Sequence, residues 1–267
     1  MVQQVGYGAM GVHDPKVIEL ALETGYRIID SARVYGNEVV CGEGILNFLK
    51  KHPEVKREEI IYTTKINNDT FGYEAATKAI EESLERVKGL GYIDLILVHT
   101  PVATSAERLE TYRALQDAQA KGICKQIGVS NYGVKVLEEL YNWEHFKVKP
   151  AYNQIELNPW FQHNDVLEFC EKEGIIVEAY TPFIHGKKDD DPYLQELAKK
   201  YKATPSQVLL KWSVQKDIVP IPKSANPERM KGNFELGFFA LTAEELEKLG
   251  DKNGDVQCWA PDRTAYF

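Results

Sequence analysis

Residues 25–38 read GYRIIDSARVYGNE, an apolar run that ends in an acid and is followed by a tyrosine. Short runs rich in isoleucine are typical of buried strands. The acid is Asp30, and Tyr35 follows it five residues later. A polar residue at a strand end lies at the rim of a sheet, where enzymes keep catalytic groups, although an aspartate there is more often a turn or helix cap. The stretch therefore predicts a buried strand with a candidate functional residue at its end.

Two further apolar runs repeat this arrangement. Residues 60–64 are followed by Lys65, and residues 93–98 are followed by His99. Lysine and aspartate are rarely buried unless they are paired, so solvation alone does not explain three strands that end in ionisable side chains. We expect these side chains to lie at one rim of a sheet.

Apolar runs alternate with amphipathic segments of helix length along the whole chain. Strands are predicted at residues 3–9, 26–30, 60–64, 93–98, 124–129, 151–154, 175–180 and 218–221. Helices are predicted at residues 14–23, 38–51, 73–88, 105–121, 134–143, 164–173, 193–201, 204–215 and 244–249. Parallel strands require crossover helices, so the pattern predicts an α/β fold, a (β/α)8 TIM barrel with a parallel eight-stranded sheet.

We expect one barrel domain over residues 1–267, with a tail of about residues 251–267 near the active-site mouth. Active sites of such barrels lie at the carboxyl ends of the strands. Polar residues stand at or just after the predicted strand ends: Asp30, Lys65, His99, Ser130, Gln154, Tyr180 and Lys223. This shared placement is the strongest indication of function that the residues themselves give.

Composition excludes several classes of protein. A formal net charge of −8 argues against a nucleic acid partner, since phosphate binding requires a basic surface. The four cysteines are scattered without a C-x-x-C pair, which favours reduced thiols, and the histidines show no metal-ligand spacing. No signal peptide or membrane-length apolar run is recognisable. We therefore expect a cytoplasmic protein with no metal and no membrane, and a monomer by default.

The strand ends resemble a known family, the aldo-keto reductases. Its pattern D-x4-Y-G-N-E matches from Asp30, T-K matches at Lys65, and L-I-H-x-P matches around His99 with valine for isoleucine. The resemblance runs to about residue 260. It implies NADPH-dependent reduction of an aldehyde or ketone, with Tyr35 as general acid, Lys65 and Asp30 as the pair that tunes it, and His99 orienting the carbonyl. A nearby ammonium would lower the phenol pKa from its ordinary value near 10.

The resemblance also implies a set of NADPH-binding residues in the second half of the chain. Ser130, Asn131 and Gln154 would hold the nicotinamide carboxamide, and Tyr180 would stack on its ring. Thr181 and Phe183 belong to the same segment as Tyr180. The segment after the last strand would hold the 2′-phosphate and adenine with Lys223, Ser224, Asn226, Arg229 and Asn233. A cation pair near a helix start suits a dianion, which predicts a preference for NADPH over NADH.

The sequence departs from the family in the expected substrate pocket. Asn67 and Thr100 stand where many relatives have tryptophans, and Met10 stands where an aromatic residue is common. The pocket should therefore be wider and more polar. Trp160 and Trp259 are the aromatic candidates left for substrate contact, and Trp160 is equally plausible as packing. The chain also begins close to its first strand, so we expect a barrel without a full N-terminal capping hairpin.

Two other interpretations stay open. Lys223 and Ser224 could grip a phosphate on a substrate, as in a barrel that acts on a phosphorylated metabolite. The fold could also serve as a cofactor-sensing or storage protein with little turnover. A small-molecule carbonyl reductase is the leading hypothesis, but aldoses, α-keto esters, aromatic aldehydes and diketones would all fit the pocket.

Overall fold

The computed structural model describes residues 5–252, 254, 256 and 258. Its eight strands are β1 (Tyr7–Gly8), β2 (Ile28–Asp30), β3 (Ile61–Ile66), β4 (Ile93–Val98), β5 (Cys124–Ser130), β6 (Tyr152–Glu156), β7 (Ile176–Tyr180) and β8 (Val219–Pro220). They pair in chain order and every pairing is parallel. Gly6 and Gly8 donate backbone hydrogen bonds of 2.9 Å to the carbonyls of Pro220 and Pro222, which join the first strand to the last. The sheet closes as a barrel, and the (β/α)8 prediction is confirmed.

Ten helices surround the strands in the described part of the chain. They are α1 (Pro15–Thr24), α2 (Glu38–Lys51), α3 (Tyr73–Arg86), α4 (Ser105–Ala120), α5 (Val134–Tyr141), α6 (Asn164–Glu173), α7 (Pro192–Tyr201), α8 (Pro205–Gln215), α9 (Pro227–Phe234) and α10 (Ala243–Gly250). Asp14 caps α1 by accepting a hydrogen bond from the Lys16 amide, with proline at the first helical position. Helix α9 had no predicted bounds, although its Asn-Pro start has the same kind of signal.

Side chains that alternate along each strand divide between two buried environments. Ile96 and Val98 belong to the large core between the sheet and the helices. Leu95, Leu97 and Tyr152 form a separate small cluster, which lies inside the barrel. Both faces of the sheet are therefore dry, as expected for parallel strands. The interior cluster forms the floor on which the polar residues at the strand ends stand.

Several expectations concern the two ends of the chain. The expectation about the N-terminal capping hairpin concerns residues 1–4, which lie outside the described residues. The same holds for most of the tail, although the amides of Gly254 and Val256 each donate a hydrogen bond of 3.1 Å to the carbonyl of Trp160. Within the described residues, no helix combines the length and the apolar character needed to cross a bilayer, and no group of three or more His, Cys, Asp or Glu side chains is arranged to hold a metal.

Candidate active site

The ends of β2 and β3 bring an acid and a base together inside the barrel. Asp30 is the last residue of β2, and Lys65 lies near the end of β3. The Lys65 Nζ lies 2.7 Å from both carboxylate oxygens of Asp30 and 2.8 Å from the carbonyl of Ser31. All three ammonium protons therefore have acceptors, although Lys65 is fully buried.

The charge state of Lys65 follows from these contacts. Burial alone, the largest influence, would lower the pKa of Lys65, but the charges of Asp30 and Tyr35 and the hydrogen bonds to Asp30 outweigh it. The net effect raises the pKa above its ordinary value. Lys65 consequently stays protonated in a dry site, which gives the cavity a fixed positive charge next to Tyr35.

Tyr35 and His99 stand above this pair. Tyr35 ends a short 3-10 turn (Arg33–Tyr35), which Gly36 terminates in the left-handed region at φ 66°. The Lys65 Nζ lies 5.4 Å from the centroid of the Tyr35 ring. The ring of His99, the residue after β4, meets Tyr35 edge-on with centroids 5.9 Å apart. The four residues expected to carry catalysis are thus brought together at one end of the barrel.

The residues that follow Tyr35 brace this arrangement. Asn37 donates hydrogen bonds of 2.7 and 3.1 Å to the carbonyls of Ala9 and Val12, and accepts one of 2.7 Å from Ser31. The buried Glu38 accepts hydrogen bonds from Thr64 and from Arg86. These contacts tie the loops after β1 and β2 to the residue beside Lys65. They give the Y-G-N-E segment a structural role.

Gln154 links Asp30 to a second buried acid that the sequence analysis did not single out. The Gln154 Nε2 donates to Asp30 Oδ1 and to Glu178 Oε2, both at 2.8 Å. Gln154 and Glu178 are paired residues of β6 and β7. Burial, helped by the charge of Asp30, raises the pKa of Glu178 to about 7, against the opposing effects of the Gln154 hydrogen bond and of Lys65. A charged residue inside a buried strand was the available signal for it.

Three further polar side chains are interlocked at the ends of β5 and β7. The hydroxyl of Ser130 donates 2.7 Å to the Gln154 carbonyl. Asn131 donates from Nδ2 to the carbonyl of His99 at 2.9 Å and to Ser130 at 3.1 Å, and accepts 2.6 Å from the hydroxyl of Tyr180. These side chains thus join neighbouring strand ends through hydrogen bonds.

A cavity of about 660 Å³ opens above these residues. Twelve of the sequence candidates line it: Met10, Asp30, Tyr35, Asn67, His99, Ser130, Asn131, Gln154, Tyr180, Thr181, Phe183 and Lys223. The other lining residues, which the sequence analysis did not single out for the site, include His13, Val34 and His185. Both histidines follow strands on loops, a position from which sequence alone predicts only exposure. The volume suits a small-molecule ligand.

Unusual backbone geometry concentrates beside the cavity. Among the described residues, seven other than glycine have positive φ, and three of these line the cavity: Asn131 (63°), Thr181 (53°) and His185 (52°). Ile184, next to His185, has φ 52°, which is unfavourable for a β-branched side chain. Backbone held in such regions is typical of functional sites.

Other sequence candidates lie away from the cavity lining. Thr100 is buried beside His99, and Trp160 is 4% exposed and packs in the core between sheet and helices. The structure therefore places Trp160 as a packing residue, and Lys65 lies beneath the lining. Trp259 lies outside the described residues. The remaining candidates belong to the segment around α9: Ser224, Asn226, Arg229 and Asn233.

The α9 segment has its own local order. The hydroxyl of Ser224 accepts from the Asn226 amide at 3.1 Å, and the side chain of Asn226 caps α9 by accepting from the Arg229 amide at 2.9 Å. Asn233 is buried, whereas Lys223 and Arg229 are exposed. Two cations therefore flank a capped helix start, with one of them on the cavity wall.

The fold and the site define a class: a (β/α)8 barrel with a buried ammonium–carboxylate pair beneath a tyrosine and a histidine. Comparisons with known proteins agree with it. The model of the Aldo/keto reductase family matches residues 12–253. An uncharacterized oxidoreductase of Saccharomyces cerevisiae is 42% identical over 248 residues, which cover 90% of this chain and 88% of that protein. The glyoxal reductase of Bacillus subtilis is 37% identical over 238 residues, 89% of this chain and 83% of that protein.

A solved structure shares the same fold. The crystal structure of an aldo-keto reductase enzyme from a Medee basin deep-sea metagenome library superposes with a TM-score of 0.89 at 35% identity, covering 97% of this chain and 94% of that one. The chain belongs to the aldo/keto reductase family. It is therefore related to oxidoreductases, and carbonyl reduction with a nicotinamide cofactor is the general chemistry that this family supports.

Proposed function

We propose that this chain reduces an aldehyde or ketone to the alcohol with NADPH, and that Tyr35 is the general acid. The position of Tyr35 carries the proposal. Its ring lines the cavity, with the Lys65 ammonium 5.4 Å from the ring centroid and the His99 ring at 5.9 Å. A phenol beside a fixed positive charge becomes a better acid, because the charge stabilises the phenolate. Tyr35 then gives its proton to the carbonyl oxygen, which His99 orients.

Lys65 and Asp30 act on Tyr35 without touching substrate. The Asp30 carboxylate holds the ammonium with two contacts of 2.7 Å, so Lys65 cannot turn away from the phenol. Burial strengthens the effect, since few water dipoles screen the charge. The pair is therefore a fixed electrostatic support for proton transfer.

The cofactor would lie along the β5–β8 side of the cavity. When bound, its reduced nicotinamide supplies the hydride. Ser130, Asn131 and Gln154 offer hydroxyl and amide groups suited to a carboxamide, and the half-exposed ring of Tyr180 offers a stacking surface. Thr181 and Phe183 line the same wall.

The 2′-phosphate would lie at the start of α9. Lys223 and Arg229 are exposed there, and the helix is capped by Asn226. A planar guanidinium beside an ammonium suits a dianion, which supports NADPH over NADH. Ser224 and Asn233 complete the proposed contacts with the phosphate and adenine.

The substrate would enter between the loops after β1 and β3. Met10 is 42% exposed and Asn67 is half-buried, and both line the cavity. They give the mouth one apolar and one polar wall, which fits a small carbonyl compound with a polar substituent. Thr100 would act on the pocket only indirectly, from behind the lining.

We further propose that the protein works as a monomer in the cytoplasm. The four cysteines are free thiols and three of them are buried, which is compatible with a reducing compartment. Sedimentation of the purified chain, and fractionation of cells that express it, would check these two points.

The central test is an assay that follows loss of the reduced nicotinamide with a panel of carbonyl compounds. We expect turnover with the unmodified chain and a fall in kcat of about 10³-fold in Tyr35→Phe, because only the transferable proton is removed. Tyr92→Phe, which alters a tyrosine outside the cavity lining, should keep full activity. Tight NADPH binding without turnover on any compound would favour the cofactor-sensing alternative.

A further inference from the structure

Hydrogen bonds join two acids and one base beneath the cavity through Gln154. Asp30, Glu178 and Lys65 are each at most 4% exposed. Within the described residues, the one salt bridge of this group joins Lys65 to Asp30. Glu178 instead receives a neutral hydrogen bond of 2.8 Å from Gln154. When Glu178 is ionised, the group therefore carries one negative charge that no basic side chain balances.

Glu178 lies directly behind the cavity wall. Its hydrogen-bond partner Gln154 lines the cavity, and so does Tyr180, two residues further along the same strand. Residues two apart in a strand point to the same side and are separated by about 7 Å. Glu178 thus sits one layer below the aromatic ring on which a nicotinamide would stack.

The titratable groups near Glu178 lie on β2, β3 and β6. On β6 they include the buried Glu156, which pairs in register with Tyr180 and accepts a hydrogen bond from the Cys258 amide. Asp30 of β2 and Lys65 of β3 act on it through charge, and its own charge raises the pKa of Tyr152 on β6 after the effect of burial. Its partners in the sheet are Gln154 on β6 and Val219 on β8, neither of which is charged. Lys65 is the one basic side chain that acts on Glu178 within the described residues, so a cation bound in the cavity would supply the additional balancing charge.

We propose that Glu178 is a specificity-determining residue for the redox state of the cofactor, favouring the oxidised nicotinamide over the reduced one. The proposal rests on the proposed function, which puts the nicotinamide against Tyr180. The oxidised ring carries a positive charge and the reduced ring carries none. A carboxylate one layer below in a dry interior therefore stabilises only the oxidised form.

The same residue couples binding to pH. Burial raises the pKa of Glu178 to about 7, so both of its protonation states are present at neutral pH. Coupling is reciprocal: if the carboxylate favours NADP+, then NADP+ favours the carboxylate and releases its proton. NADP+ should bind more tightly as pH rises through about 7, whereas NADPH should not gain in this way.

The experiment is a pair of fluorescence titrations with NADP+ and NADPH, for the unmodified chain and Glu178→Gln, between about pH 6 and about pH 8.5. The quantity to follow is the ratio of the two dissociation constants. The 2′-phosphate is present in both forms of the cofactor, so its titration largely cancels in this ratio. We expect bound NADP+ to lower the pKa of Glu178 by about one unit, which corresponds to a tenfold change in affinity. The preference for NADP+ should therefore rise about tenfold across the range in the unmodified chain and stay level in Glu178→Gln.

Asp94→Asn is the matched control. Asp94 is also a buried acid. It precedes the interior Leu95 on β4, so its side chain faces the opposite side of the sheet, where it forms a salt bridge of 2.6 Å with Arg57. Its loss should leave the pH dependence of the ratio intact. A ratio that changes equally in Glu178→Gln and the unmodified chain would overturn the role of Glu178, while NADP(H) binding itself would still stand.

A second measurement needs no variant. Calorimetry at about pH 7 in buffers of different ionisation enthalpy should show that NADP+ binding releases more protons than NADPH binding does. Equal release would refute the inference even if Glu178→Gln failed to fold. If neither form of the cofactor binds the unmodified chain, the proposed function fails and this inference fails with it.

Discussion

The two walls of the cavity differ in how their charges are balanced. On the β2–β4 wall, the Lys65 ammonium has three acceptors within 2.8 Å, and the Asp30 carboxylate is paired with it. On the β7–α9 wall, the donor that Glu178 has in the described part of the chain is the neutral Gln154 side chain, and Lys223 and Arg229 are exposed. The first wall is complete as it stands, whereas the second carries charges that a ligand can balance. The paired charges of the first wall are positioned to support the reaction, whereas the unbalanced charges of the second wall influence which ligand binds.

Removing one partner of the Lys65–Asp30 pair should have the largest effect on stability and turnover. Lys65→Met removes the ammonium and leaves Asp30 and Glu178 as neighbouring buried acids, so we expect the free energy of unfolding to fall by about 3–5 kcal/mol, together with loss of turnover. Denaturant titration measures the first effect. Adding Asp30→Asn should restore much of the stability but none of the activity. A single variant as stable as the unmodified chain would show that the pair is not balanced as described.

Removing the charge of Glu178 should raise the free energy of unfolding, in contrast to the loss of Lys65. The pKa of Glu178 is about 7 in the fold against an ordinary value of 4.5, so the folded state binds this proton more tightly. The stability that protonation provides is complete below about pH 4.5, declines as pH rises, and is gone above about pH 7. Glu178→Gln should therefore match the unmodified chain near about pH 4 and exceed it by roughly 3 kcal/mol at about pH 8. Thermal unfolding at the two pH values checks this, and a difference that is equal at both would contradict the charge-based explanation.

Removing the exposed cation Arg229 should have the smallest effect, a loss of affinity for NADPH but not for NADH. Arg229→Ala should weaken NADPH binding by about 10–100-fold, since a hydrogen bond to a charged group contributes about 1.5–3 kcal/mol. NADH lacks the 2′-phosphate, so its binding should change little. Lys231→Ala, which removes an exposed cation from the same helix, is the control. An equal loss for both cofactors would argue against a phosphate role for Arg229.

Much of the barrel follows from the sequence because the local signals agree with one another. Helices α2 and α6 and strand β4 have the bounds that their patterns predict. Strands β1 and β8 are shorter than predicted, with two residues each. Apolar composition indicates a buried segment, but backbone hydrogen bonds with neighbouring strands decide how long the strand is. Strands β1 and β8 pair with each other where the barrel closes.

The sequence by itself determined the barrel and the placement of Asp30, Lys65 and His99 at its strand ends, because strand ends of a parallel barrel share one rim whatever the loops do. Only the tertiary structure decided that Trp160 packs in the core, that Asn226 caps a helix, and that Glu178 lies beneath the cavity. The physical reason is that both faces of a parallel sheet are buried, so the strands show no alternation of apolar and polar residues. Which side chain faces the barrel interior, and what charge surrounds it there, depends on neighbours that are far apart in the chain.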